Sequence, residues 1–132
     1  MRALSTALLL ALLSTAATAQ NAAVHPYPRL SLEGDGHACS GYFKTTRTRL
    51  RWKSSFSTCD QPYRVSSHDH DVWTLELLPS TTTKQTSCPF QVITLEKSDP
   101  TYAGSGWNVT GYESFDQLKQ TPPQPRLSCP MM

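Results

Sequence analysis

The sequence lacks the patterns that mark common enzyme and membrane classes. It contains no G-x-S-x-G elbow, no C-x-x-C pair and no glycine-rich loop ahead of a helix. Serine hydrolases of that type, structural zinc sites and phosphate-binding loops therefore have no support. Its longest apolar run is about 11 residues, too short to span a bilayer. The formal net charge is only +2, which excludes bulk attraction to nucleic acid or to membranes.

What the chain does have at its start is a leader pattern. Arg2 precedes an apolar run, Ala3–Leu13, and Ala17–Ala19 places small residues at the −3 and −1 positions. This pattern predicts a secretory signal peptide over residues 1–19, with cleavage before Gln20. We therefore expect a secreted or periplasmic protein with no membrane span in its mature form.

The rest of the chain is sufficient for one small domain. Residues 20–28 contain two prolines and no periodicity, which predicts a flexible lead-in. Residues 29–132 are just long enough to form a single hydrophobic core, and no motif within them indicates a cofactor.

Four cysteines lie in this domain, at positions 39, 59, 88 and 129. An even number in a short exported chain predicts two disulfides. If neighbouring segments pair as a meander, Cys59 and Cys88 lie at the same end of the sheet. This favours Cys59–Cys88 with Cys39–Cys129, although Cys39–Cys59 with Cys88–Cys129 is nearly as well supported.

Alternation of apolar and polar residues with a period of two recurs along the domain and predicts short strands. The predicted strands are Tyr42–Lys53, Tyr63–Val65, Val72–Leu78, Phe90–Lys97 and Trp107–Tyr112. Breaks are predicted at Ser54–Ser57, Asp60–Pro62 and Ser66–Asp71. Ser114–Gln117 fits a capping box and predicts a short helix to about Gln120. The fold class is therefore all-β, a small antiparallel barrel or sandwich of about six to eight strands with one short C-terminal helix.

The most distinctive local feature is a basic ladder, defined as Arg47, Arg49, Arg51 and Lys53. On one strand these side chains share a face and recur about every 7 Å, so they repel one another unless an acid opposes them. Arginine binds carboxylate and phosphate through two parallel hydrogen bonds. The ladder is thus a candidate contact surface for a protein or an anionic envelope or extracellular component. The alternative is a solvated face balanced by carboxylates such as Glu76 or Glu96.

The segment His68–Asp71 is the one cluster with metal-ligand chemistry. Histidines at positions i and i+2 of an extended segment point the same way and can chelate one ion. A third ligand would have to come from His25, His37 or a carboxylate. The alternative is a polar hairpin loop between Val65 and Val72.

Most aromatic residues fall within predicted strands, which favours a role in the core. A small barrel with inward aromatic residues is also compatible with a cavity for an apolar ligand. In length and class the chain resembles the lipocalins. However, Gly106-Trp107 lies near the end of the chain, not in the G-x-W spacing near the N-terminus that this family carries.

These patterns predict a non-enzymatic binding or inhibitory module that acts through the basic ladder. Two alternatives remain open: a carrier of a small apolar ligand, and a metal-dependent envelope enzyme using His68 and His70.

Overall fold

The computed structural model describes residues 25–79, 88–99, 101 and 106–132, and the predicted signal peptide lies outside this part of the chain. The described residues form one eight-stranded antiparallel sheet in which each strand pairs with the next. The strands are β1 (Ser31–Gly34), β2 (Gly41–Thr45), β3 (Arg49–Lys53), β4 (Thr58–Asp69), β5 (Val72–Leu77), β6 (Val92–Lys97), β7 (Trp107–Tyr112) and β8 (Leu127–Met131). A short helix, α1 (Phe115–Lys119), connects β7 to β8. The all-β prediction with one short helix is confirmed.

The first and last strands meet, so the sheet curls into a nearly closed barrel. The backbone N–H of Glu33 donates to the carbonyl of Met132 at 2.7 Å, and the N–H of Met132 donates back at 3.0 Å. The Cys39–Cys129 disulfide crosses the same seam, between the β1–β2 connection and β8. Closure removes the exposed strand edges that an open meander would present.

Both disulfides have the pairing that the meander argument favoured. Cys59 at the start of β4 is bonded to Cys88 ahead of β6, and Cys39 is bonded to Cys129. Two disulfides are consistent with an oxidising, extracytoplasmic location. No helix in the described residues has the length and apolar character needed to cross a membrane.

The predicted strand Tyr42–Lys53 is wrong in one respect, because it is a hairpin of two strands. The chain turns at residues 46–48 between β2 and β3. The Thr46 N–H donates to the Arg49 carbonyl at 2.9 Å, and the Thr46 hydroxyl accepts from the Arg49 N–H at 3.1 Å. A threonine side chain thus stabilises a turn that contains no glycine, proline or asparagine, so the sequence carried no turn signal there.

Strand β4 corrects two further predictions, the breaks at Asp60–Pro62 and Ser66–Asp71. This 12-residue strand pairs with β3 through its first half and with β5 through its second. Pro62 lies just before the pairing with β5 begins, where its missing N–H is tolerated, and its carbonyl accepts from Leu78 at 2.9 Å. His70, at φ 50°, allows a tight turn with Asp71, so the polar residues before it remain in the strand.

The barrel interior is filled by inward-facing apolar side chains. The large ones with at most 2% exposure are Phe43, Leu50, Trp52, Leu75, Ile93, Leu95, Val109 and Met131. The Trp52 ring is stacked on Phe90 with centroids 4.8 Å apart, and Phe43 meets Trp52 edge-on at 6.2 Å. The core role predicted for these three aromatic residues is therefore confirmed, and they are in contact with one another.

The predicted capping box is also present. The Ser114 hydroxyl accepts from the Gln117 N–H at 3.3 Å, and the Gln117 side-chain oxygen accepts from the Glu113 N–H at 3.0 Å. The helix ends at Lys119, and Gln120 is its C-cap.

Candidate binding surface

The outward face of the β2–β3 hairpin carries four cations, which we call the basic face: Lys44, Arg49, Arg51 and Lys53. Because β2 and β3 are antiparallel, their outward residues line up in rows across the sheet. One row runs Ser31, Lys44, Arg51, Asp60, and the next runs Glu33, Tyr42, Lys53, Thr58. Lys44 and Arg51 are therefore direct cross-strand partners, with Cβ atoms about 4.5–5.5 Å apart.

One carboxylate, Asp60, serves two of these cations. The Arg49 guanidinium donates to Asp60 Oδ1 at 2.9 and 3.2 Å and to the Asp60 carbonyl at 3.1 Å. Arg51 Nε lies 3.4 Å from the other carboxylate oxygen, and its side chain is 61% exposed. Arg49 is thus held against the sheet, whereas Arg51 is loosely paired and faces solvent.

The two lysines of the basic face form no ion pair within the part of the chain that the structure describes. Both are exposed, and the Lys44 ammonium lies 5.3 Å from the centre of the Tyr42 ring. Like charges directly opposite each other on a sheet are destabilising. The Lys44–Arg51 pair therefore opposes folding, and the Arg51–Asp60 ion pair offsets part of that cost.

The structure changes the membership of the predicted ladder. Arg49, Arg51 and Lys53 share the outward face of β3 as expected, but Arg47 lies in the turn before it. The carboxylate that balances the ladder is Asp60. Glu76, one of the two candidates from the sequence, instead binds Arg64, with Nη2 and Oε2 2.5 Å apart.

Sequence reasoning missed Lys44 and Asp60. Lys44 pairs with Arg51 across the hairpin that turns at residues 46–48, so recognising that turn would have revealed the pair. Asp60 follows Cys59 and lies two residues before Pro62, within the predicted break between strands. Neither residue had a signal of its own.

The histidine cluster, His68–Asp71, lies where β4 turns into β5. The His68 ring is stacked on Trp73 with centroids 3.4 Å apart, and His68 Nε2 lies 2.9 Å from the His70 carbonyl oxygen. His37, a suggested third ligand, packs edge-on against Phe56, beyond the other end of β4. The described residues contain no group of three potential ligands arranged to hold a metal ion.

A second surface feature lies where β3 ends. The turn at Ser54–Ser57 presents Phe56 with 72% of its surface exposed. Beside it is an open groove of about 430 Å³ lined by Phe56, Ser57, Pro89, Phe90, Arg126 and Leu127. Sequence reasoning assigned this turn only as a break, and an aromatic residue inside a serine-rich turn was its one distinguishing mark.

Comparison with protein-family models, with curated proteins and with solved structures yields no match to this chain. Its function is therefore inferred from its own residues.

Proposed function

We propose that this protein is a non-enzymatic binding or inhibitory module that contacts an anionic partner through the basic face. The observation that carries the proposal is the Lys44–Arg51 cross-strand pair. Two exposed cations directly opposite each other cost stability in the free protein, and an anion placed over them removes that cost. Binding of an anion would therefore remove the repulsion between Lys44 and Arg51, which folding alone leaves in place.

The composition of the face supports the same conclusion. Arginine and tyrosine are enriched where proteins bind one another, and Tyr42 lies in the row next to Arg51. Asp60 and Glu33 lie at the two sides of the face, on β4 and β1. The region of positive charge is therefore narrow, which suits a discrete acidic contact on a protein or an anionic envelope or extracellular component.

The proposal is tested with defined anionic probes and two variants of equal net charge. The first variant is Lys44→Gln/Arg51→Gln/Lys53→Gln, which neutralises the most exposed cations of the face. The control is Arg64→Gln/Lys97→Gln/Lys119→Gln, which removes the same charge elsewhere. Binding of fluorescent poly-L-glutamate and of phosphatidylglycerol vesicles is measured at low salt, where exposed charges are weakly screened.

We expect the oxidised wild-type protein to bind at least one probe and the control variant to retain that binding. The first variant should lose it by about tenfold or more, because three charges act at one place. Equal weakening of both variants would show that only net charge matters. That result, or binding by none of the proteins, would contradict the proposal.

A further inference from the structure

We propose that the Phe56 turn and the adjacent groove form the apolar half of the same contact surface. Its occupant is then a segment of a partner protein that carries an apolar side chain flanked by carboxylates. This inference rests on the proposed function, because the basic face supplies the charged half. The groove adds an apolar side chain to the description of the partner, which the basic face alone does not specify.

The first reason is that Phe56 is exposed on a rigid support. The buried Ser54 hydroxyl accepts from the N–H groups of Phe56 at 3.3 Å and Ser57 at 3.1 Å. The Ser54 N–H donates to the Ser57 carbonyl at 2.9 Å, and the Ser55 N–H donates to the Ala38 carbonyl at 3.2 Å. A turn fixed in this way holds the Phe56 backbone in place before binding, so the turn loses little conformational entropy when a partner covers the ring.

The second reason is the groove itself. Its walls are apolar at Pro89, Phe90 and Leu127, and Phe90 is fixed from behind by its stack on Trp52. The Cys59–Cys88 disulfide fixes the chain next to Pro89. An exposed aromatic ring beside a preformed apolar groove is the arrangement of a binding hot spot, where a partner's side chain enters the groove.

The third reason is the sign of the surrounding charge. Lys53 ends β3, the turn begins at the next residue, and Arg126 is the charged member of the groove lining. Arg126 is paired with Glu113, and both side chains remain about half exposed. A cation directly before the turn and another in the groove lining are complementary to carboxylates that flank an apolar side chain. A protein segment supplies both groups, whereas a lipid or polysaccharide surface does not offer that alternation.

The probe is a random peptide library displayed on phage, selected against the immobilised, oxidised protein. We expect enriched peptides to share an aromatic or aliphatic residue flanked by Asp or Glu. Two such peptides are then synthesised, and their affinities are measured by isothermal titration with the wild type and with the variants. Phe56→Ser should weaken them about thirtyfold or more, which corresponds to a hot-spot residue.

Two controls separate local from general effects. Val72→Ser removes another exposed apolar side chain, 38% exposed, at the start of β5 opposite the far end of β4, and should leave peptide affinity unchanged. Phe56→Leu retains an apolar anchor and should recover part of the affinity. Unchanged near-ultraviolet circular dichroism shows that each variant is folded.

The outcomes distinguish this inference from the proposed function. Peptides weakened by the Lys44/Arg51/Lys53 variant but not by Phe56→Ser would overturn the inference and leave the proposed function standing. Peptides weakened by neither variant, or a selection with no shared motif, would count against both. A concentration-dependent dimer in sedimentation velocity that Phe56→Ser abolishes would show that the occupant is a second copy, and would also overturn the inference.

Discussion

At the scale of single residues, Tyr63 shows how burial changes the titration of a side chain. It is buried at the point where β4 leaves β3, and its hydroxyl donates to the Thr46 carbonyl at 2.6 Å. Burial, with a smaller contribution from nearby Tyr27, raises the pKa of the Tyr63 phenol from 10.0 to about 12. The folded state therefore favours the neutral phenol, and this hydrogen bond also anchors the turn that separates β2 from β3.

The shift predicts a dependence of stability on alkaline pH. A pKa that is higher in the folded state contributes stability that is fully present below the unfolded value of 10.0 and lost as pH rises toward 12. Tyr63→Phe removes the titrating group and leaves the Thr46 carbonyl without this donor. We expect Tyr63→Phe to lower the free energy of unfolding by about 1 kcal/mol below pH 10.

Urea unfolding of the wild type and of Tyr63→Phe, below pH 10 and between pH 10 and 12, checks this expectation. The difference between the two proteins should shrink at the higher pH, because only the wild type loses the contribution of the phenol. A difference that stays constant across this range would mean that Tyr63 is not the titrating group.

At the scale of elements, β2 and β3 show where sequence reasoning succeeded and where it stopped. The period of two correctly placed Leu50 and Trp52 inside and Arg49, Arg51 and Lys53 outside, since burial of one face follows directly from alternation. It did not reveal the turn between the strands, because that turn is stabilised by a threonine hydroxyl. The cross-strand partner of Arg51 therefore stayed hidden, and the candidate site was only half described.

The same hairpin predicts a conflict between stability and binding. Lys44→Glu replaces a like-charge pair with Arg51 by an opposite-charge pair in the same register. We expect the free energy of unfolding to rise by about 0.5 kcal/mol. Binding of the anionic probe that the wild type binds should fall in the same variant, because a cation of the basic face has become an anion.

Lys97→Glu is the matched control, since Lys97 is exposed and lies between Trp107 on one side and Asp71 on the other, so the same change of charge forms no pair with a cation. Lys97→Glu should not stabilise the protein, and it should reduce probe binding less than Lys44→Glu does. Thermal unfolding and probe titration of both variants give the comparison. A Lys44→Glu protein less stable than the wild type would contradict the repulsion on which the proposed function depends.

At the scale of the whole molecule, spacing and cysteine number predicted more than local patterns did. Regular short strands are compatible with a meander, and a meander favours the pairing of Cys59 with Cys88 over the nearly equal alternative. The closing of β1 against β8 was not predicted, because β1 has only four residues, ends at Gly34 and carries little alternation of its own. Closure of the barrel depends on backbone pairing between Glu33 and Met132, and no side-chain pattern predicts that pairing.

The two disulfides should contribute unequally to the stability of this barrel. Cys39–Cys129 joins residues 90 positions apart, whereas Cys59–Cys88 joins residues 29 apart. If disulfides act mainly by restricting the unfolded chain, the longer loop stabilises more, by about 1 kcal/mol for this ratio of lengths. We therefore expect Cys39→Ala/Cys129→Ala to unfold at a lower urea concentration than Cys59→Ala/Cys88→Ala. Each variant keeps the other disulfide and contains no free cysteine. The reverse order would show that native contacts dominate, because Cys59–Cys88 holds Phe90 against Trp52. The Phe56 groove would then be more sensitive to disulfide reduction than the β1–β8 seam.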